Sequence, residues 1–238
     1  MTEHDDDDLP WAMQLVVRRD RHVPTREIDV AEAAARAVVS LLADERAAPG
    51  GPWHDAVEYW SDDRIRKLVR RADGKRWDDV QILDGITTSQ PGPEGHATAA
   101  VRAFVPAPVH PLPRLLDKLQ VSGTQFETGG ESLTVDPVVV IEVSPLIELT
   151  SGKLAAQCGH AAQLAWEAMD APIRRRWRAD GLRVRVDHPD PVAWAAATRP
   201  VSVVDAGFTE LDGPTETVRA RWMPGYRWPA GDPEWRNR

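Results

Sequence analysis

The chain alternates short apolar runs with longer amphipathic ones, and it does so twice. Residues 13–17 (MQLVV) follow Pro10, and 138–143 (VVVIEV) follow Pro137. Runs this short and β-branched predict buried strands. An alanine-rich segment comes next in each half, VAEAAARAVVSLLADE at 30–45 and KLAAQCGHAAQLAWEAMD at 153–170, with apolar residues at helical spacing. Each half then carries an arginine-rich stretch containing Arg-Ala-Asp-Gly, at 71–74 and 178–181. A strand-like run with an Asp follows (VQILDG at 80–85, VSVVDAG at 201–207), and a final strand holds Val-Arg-Ala at 101–103 and 218–220.

This order predicts an α/β protein of two similar domains, each a mixed β-sheet flanked by α-helices, produced by duplication. Between them lies SGTQFETGGESLT (122–134), whose Ser, Thr and Gly content reads as a linker with reach. The expected boundaries are 1–121, a linker at 122–135, and 136–238. A chain of 238 residues suits two domains of this size, and 42% hydrophobic with 28% charged residues is globular rather than disordered.

Charge and cysteine narrow the setting. The start MTEHDDDDLP has the wrong sign for a secretory signal, no apolar run is long enough for a membrane span, and a single cysteine, Cys158, gives no internal disulfide framework. These features predict a cytoplasmic protein with no membrane partner. A net charge of −8 argues mildly against nucleic acid, but it hides two basic runs: 64–76 holds seven cations and 174–185 six. With Trp77 and Trp177 interleaved, both runs are placed at equivalent points of the repeat. Solvated helix faces are the ordinary account of such runs. The alternative is RNA contact through Arg174, Arg175, Arg176 and Arg178, with tryptophan stacking on bases.

The chemistry concentrates in Ser151-Gly152-Lys153-Leu154-Ala155-Ala156-Gln157-Cys158-Gly159-His160. Thr150 or Ser151 is a natural N-cap, and Lys153, Gln157 and His160 then share one helix face. Lys153 stands in the first turn, where the helix dipole disfavours a cation. Only four of the 29 basic residues are Lys (Lys67, Lys75, Lys118, Lys153), so a lysine here suggests a required compact ammonium. A phosphate loop fails, because Ile147 and Leu154 stand where it needs Gly and Ser or Thr. A metal site fails too, because Cys158 and His160 point apart and no other cysteine exists. Cys158 reads as buried and inert, and His160 as a residue that packs behind the site rather than a base.

The pattern Gly152-Lys153-x-Ala-Ala-Gln157-x-x-His160-Ala161 resembles the signature helix of the peptidyl-tRNA hydrolase 2 family, the archaeal and eukaryotic type. Asp205-Ala206-Gly207-Phe208-Thr209, followed by Thr217-Val218, is similar to that family's second signature. The resemblance covers 137–224, and 10–120 in element order alone. It implies a mixed sheet flanked by helices, dimer-like pairing, and hydrolysis of the ester joining a peptide to the tRNA 3′ ribose, with no metal or other cofactor. It carries functional positions onto Lys153, Gln157, Asp205, Thr209 and Thr217. On this view Asp205 orients or deprotonates water, Lys153 stabilises the oxyanion or binds the terminal phosphate, and Gln157 positions the substrate. Thr209 and Thr217 bond the substrate or hold Asp205.

The chain departs from the family pattern at Phe208 and Glu210, and at Glu142 and Ser144, where an Arg-x-Asp pair is usual. The first half keeps Arg18-x-Asp20. Aligning the two helices on their alanines sets Arg26, Val30 and Ala33 against Lys153, Gln157 and His160. Asp84 and Thr88 then face Asp205 and Thr209, and Ala100 faces Thr217. The first half is thus expected to be a non-catalytic copy standing in for a second subunit, making a monomeric chain an intrachain pseudo-dimer. The expected partner is peptidyl-tRNA or another acylated tRNA. The rival expectation is a catalytically decayed family member that holds RNA or a protein.

Overall fold

The computed structural model describes residues 9–62, 65–205 and 213–222. Its elements are β1 (Trp11–Arg18), α1 (Glu27–Leu42), α2 (His54–Ser61), β2 (Lys67–Ala72), α3 (Gly74–Val80), β3 (Gly85–Gln90), β4 (Ala99–Phe104), β5 (Ala107–Pro108) and α4 (Arg114–Asp117). There follow β6 (Val139–Val143), α5 (Ser151–Ala168), α6 (Ala171–Ala179), β7 (Val184–Asp187), α7 (Pro191–Ala195), β8 (Val201–Asp205) and β9 (Thr215–Trp222). The architecture is mixed α/β, with two mixed sheets. None of the described helices is long and apolar enough to cross a membrane.

The first sheet runs β2-β1-β4-β3, with β5 added along β1, and the second runs β7-β6-β9-β8. In both, the first two strands are parallel and the other pairings antiparallel. The centres match in register: Leu15 faces Ala103 and Val17 faces Val101, as Ile141 faces Ala220 and Val143 faces Val218. The shared Val-Arg-Ala therefore sits at the same point of both sheets.

Helices α1 and α5 lie against each other between the sheets. Val30, Ala34, Ala37, Val38 and Leu41 of α1 pack on the first sheet, while Ile28, Ala31, Ala35 and Val39 turn to the second. Helix α5 does the reverse: Leu154, Cys158, Ala161, Ala162 and Ala165 pack on the second sheet and Ala155 joins the first core. Alanine makes such an approach of two helices possible, and Gly159 is a point where it is close. A Cβ there would lie 3.1 Å from Val38 Cγ2 and 3.2 Å from Lys67 Cδ.

The packing pattern changes several expected correspondences. Matching sheet-facing positions pairs Val30 with Leu154 and Ala34 with Cys158, so the helix offset is 124 residues and Asp29, not Arg26, stands at the place of Lys153. The Arg-Ala-Asp-Gly matches fall at different places: 71–74 crosses from β2 into α3, whereas 178–181 ends α6 ahead of β7. Trp177 answers to Trp60 rather than Trp77. Trp60 Nε1 donates to Arg66 O (3.0 Å) and Trp177 Nε1 to Arg183 O (2.8 Å), six residues on in both. Both Trp77 and Trp177 are buried, which leaves neither free to stack on a base. Segment 80–85 is not a strand either. Trp77 and Val80 fall at helical spacing and bury together with Val16, Ala72 and Phe104, so the chain turns at 81–84 and β3 starts only at Gly85.

Segment 122–134 is firmly held. Glu127 exchanges backbone hydrogen bonds with Thr25 and Glu27, Thr124 O accepts from Gly152 N, and Thr134 Oγ1 donates to Glu32 Oε2 at 2.9 Å. Glu32 Oε1 also accepts from Val186 N at 2.9 Å, so this buried carboxyl ties α1 to β7 and to the segment. Burial raises its pKa despite those donors.

Candidate active site

Helix α5 begins as its sequence dictates, with Thr150 Oγ1 accepting from Lys153 N at 3.4 Å. Ser151 turns inward instead, accepting from Phe126 N and donating to Glu27 Oε2, which pins the helix start to the first half. Lys153 and Gln157, one turn apart, then project toward the last residue of β8.

Lys153 Nζ lies 3.0 Å from Asp205 Oδ2, and Gln157 Nε2 donates to the same oxygen at 3.3 Å. The other end of the Gln157 amide is held as well, because Thr217 Oγ1 shares its one proton between Gln157 Oε1 at 3.0 Å and Val203 O at 3.2 Å. A β-bulge makes this last contact possible. Val203 pairs with Val218, but Val204 pairs with Glu216, so Thr217 is the extra residue on β9. Bulges re-aim side chains, and here the bulged hydroxyl points at the helix from a fully buried position. Four of the five residues carried over by the resemblance are thus joined in one network. The fifth, Thr209, lies in 206–212 with Phe208 and Glu210, outside the described residues.

The network opens on a cleft of about 950 Å³ between the halves. Lys153 and Asp205 keep 14% and 15% of their side-chain surface exposed, enough for a ligand to reach them. The opposite wall comes from Arg66, Lys67 and Val69 and from 121–124. This wall was not anticipated. The scarcity of lysine, which singled out Lys153, applied equally to Lys67.

His160 lies on the same helix face but contacts Lys67 rather than Asp205, with Nδ1 at 3.3 Å from Lys67 Nζ. Burial and the Lys67 charge push the His160 pKa well below its ordinary value, and burial likewise depresses Lys67. Cys158 is buried, and the same desolvation raises its thiol pKa far above the usual range. Arg174, Arg175, Arg176 and Arg178 are on α6. The guanidiniums of Arg174 and Arg178 lie over Trp166, near the far end of α5 and about 20 Å along the axis from Lys153.

The first half holds none of this network. Asp29 stands where Lys153 would and is fully buried in a bidentate pair with Arg26 (2.8 and 2.7 Å). By register, Gln90 and Ala100 replace Asp205 and Thr217, so the expected match of Asp84 and Thr88 to the acidic site is displaced: Asp84 precedes β3 and Thr88 answers to Val203. The departure at Glu142 has a structural counterpart. Glu142 accepts from Arg199 Nε and Nη2 (2.8 and 2.7 Å) and from Arg221 Nε (3.1 Å). Burial works to raise this carboxyl, but those bonds outweigh it and hold the pKa low.

Among the described residues, no group of three or more His, Cys, Asp and Glu is placed to hold a metal ion. Comparison of the chain with family models, curated proteins and solved structures returns no match.

Proposed function

We propose that the chain hydrolyses the ester between a peptide or N-acyl-amino acid and the 3′ ribose of tRNA, at a single site in its second half. The contact of Lys153 and Gln157 with one oxygen of Asp205 carries this reading, and the resemblance of both signatures supports it. Asp205, bonded to Lys153 and Gln157, binds the attacking water through its carboxylate. Asp205 takes a proton from that water as its oxygen attacks the ester carbonyl. The Lys153 ammonium lies beside the developing oxyanion, and Gln157, locked by Thr217, keeps the carboxylate in place. Collapse of the tetrahedral intermediate breaks the bond to the ribose oxygen, which receives the proton from Asp205. The products are the free acid and the tRNA 3′ hydroxyl.

The matching strand orders and the reciprocal packing of α1 and α5 support a further reading: the halves are copies, docked as two subunits would dock. In that arrangement the first half serves as a wall. Its Arg66 brings positive charge to the cleft despite the net charge of −8, with Lys67 beside it.

The decisive experiment incubates the purified chain with N-acetyl-aminoacyl-tRNA and follows both binding and release of the acyl-amino acid. Release that is abolished by Lys153→Ala and by Asp205→Asn, in folded protein, is the expected result. Salt-sensitive binding without release would favour the decayed, RNA-holding alternative, and turnover unaffected by both substitutions would overturn the assignment.

A further inference from the structure

Strand β2 is an edge of the first sheet, and half of its backbone polar groups face away from β1. Met13 N donates to Arg66 O and Arg19 N to Ala72 O, so residues 66, 68, 70 and 72 bond inward. The alternation of a parallel ladder then turns the N–H and C=O of Lys67, Val69 and Arg71 outward. Arg71 shows where they lead, since its N–H donates to Gln120 O at 3.1 Å in an isolated antiparallel bridge. Pairing stops there, because the chain turns off at Gly123 (φ 66°) instead of following the edge. Among the described residues, nothing bonds the N–H or C=O of Val69, although the residue is only 6% exposed and lines the cleft. Nearly buried backbone groups of this kind call for a partner.

The second half closes the same edge with its own residues. Leu15 pairs with Val69 as Ile141 pairs with Val186, which makes Val69 and Val186 equivalent. Glu32 Oε1 accepts from Val186 N at 2.9 Å, and Thr134 Oγ1 donates to the other Glu32 oxygen. Thr134 O accepts from Arg185 Nη1 at 3.1 Å, and Gln90 Nε2 of β3 donates to Thr134 Oγ1 at 3.2 Å. Thr134 thus bridges from β7 to β3 across α1. On the cleft side the 124-residue offset sets Ala156 at the place of Glu32, and Ala156 lines the open space with Val69. One copy carries an acceptor for the outward N–H, and the other lacks it.

We propose that the outer edge of β2 takes the peptide of the substrate as an added strand, with Val69 N–H donating to a peptide carbonyl and Val69 O accepting from a peptide N–H. An extended peptide offers a donor and an acceptor at strand spacing, whereas the phosphates of the tRNA only accept. Naming the peptide as part of the substrate rests on the esterase reading, but the strand addition does not. Lys67 touches His160, about 10 Å along α5 from Lys153. An extended chain covers that distance in about three residues, so the edge meets the peptide upstream of the scissile ester. Main-chain bonds carry no side-chain preference, which suits an enzyme that must accept peptides of any sequence. The first half thereby gains a task beyond support, since it grips the acyl chain that the second half cleaves.

The first arm of the test needs no catalysis. N-acetyl-trialanine amide is titrated into the ¹⁵N-labelled full chain, and the backbone amide of Val69 is followed by NMR. The expected result is a downfield shift of that amide, with binding about tenfold weaker for the fully N-methylated peptide. Ala156→Glu, which sets a carboxylate where Glu32 stands in the other half, should abolish the shift. Ala156→Gln serves the same end without charge should the Glu variant not fold. A Val69 amide that ignores the peptide, or binding indifferent to N-methylation, overturns the proposal. So does a Val69 contact with residues 223–238, which would give the edge to the chain's own end. A Val69 shift that follows protein concentration alone would give it to a second copy and overturn the proposal too. The second arm compares N-acetyl-alanyl-tRNA with N-acetyl-trialanyl-tRNA. The longer peptide should raise kcat/KM about tenfold, and Ala156→Glu should remove that gain; equal turnover of the two overturns the peptide's role. Engagement of Val69 without turnover of either would leave the strand addition standing and overturn the esterase reading instead.

Discussion

Lys153 Nζ and Asp205 Oδ2 stand 3.0 Å apart, joined across the gap between the start of one helix and the end of one strand. If the two act on one transition state, their effects are not independent. Lys153→Ala and Asp205→Asn should each lower kcat by about 10²–10³, and the double variant should fall little further, because residues that act as a unit are non-additive. The pair is mostly buried, with 14% and 15% of the side chains exposed, so Lys153→Ala, which takes the ammonium away from Asp205, should also lower stability by more than the roughly 1 kcal/mol of a surface pair. Single-turnover deacylation and urea titration of the three variants check both halves of this expectation.

Thr217 acts one step behind that pair. Thr217→Val keeps the shape of a fully buried side chain but removes the donor to Gln157 Oε1. Leaving a buried acceptor unpaired costs about 1–2 kcal/mol, and the released amide no longer holds Asp205. A fall of about tenfold in kcat should accompany the loss of stability. Thr217→Ser, which keeps the hydroxyl, should recover most of the activity, whereas a merely steric role would be served better by valine.

How far the sequence reached is best judged from Thr217 and Lys67. Periodicity located β1, β4, β6, β8 and β9, both long helices and the helix face shared by Lys153 and Gln157, because these are local properties. Strand β2 lay unread inside one basic run and β7 at the end of the other, and Asp205 gained its role through the resemblance. Thr217 came only through the resemblance: an alternating pattern alone does not reveal that a bulge turns it toward α5. Lys67 stayed hidden in a basic run, because its role depends on α5 crossing β2, a long-range contact. Local identities also misled. The two Arg-Ala-Asp-Gly stretches fall in different elements, and aligning alanines shifted α1 by three residues. Only the division of apolar positions between two sheets fixes the offset.

The depressed pKa of Lys67 makes stability depend on pH with a definite sign. Between its folded value and 10.5, the unfolded chain binds a proton that the folded chain lacks. Stability therefore rises with pH in that window, by at most about 1.4 kcal/mol per pH unit for one proton. Cys158 works the other way: its pKa is raised on folding, so above 9.0 the unfolded thiol ionises first and stability falls. Urea titrations of Cys158→Ala at alkaline pH up to 10.5 should show a rise that adding Lys67→Met flattens. In the wild-type chain the two slopes oppose each other between 9.0 and 10.5, and the decline that Cys158→Ala removes should appear above 10.5.

Gly159 tests whether the close approach of the halves holds the cleft together. Alanine at a helix interior normally gains about 1 kcal/mol over glycine. Here its methyl would press on Val38 Cγ2 and Lys67 Cδ at 3.1 and 3.2 Å, and neither neighbour is free to retreat. Val38 is sealed in the first core, and Lys67 Nζ is held by three polar neighbours, Ile65 O, Gln163 Oε1 and His160 Nδ1. Overpacking of this kind costs about 1–3 kcal/mol, so Gly159→Ala should be destabilising by about 1 kcal/mol net rather than stabilising. The strain should also disturb the Lys67–His160 contact while sparing the Lys153–Asp205 pair at the other end of the face. A stabilised Gly159→Ala chain would mean that α5 can slide against α1, and that the spacing between the halves is not set at this glycine.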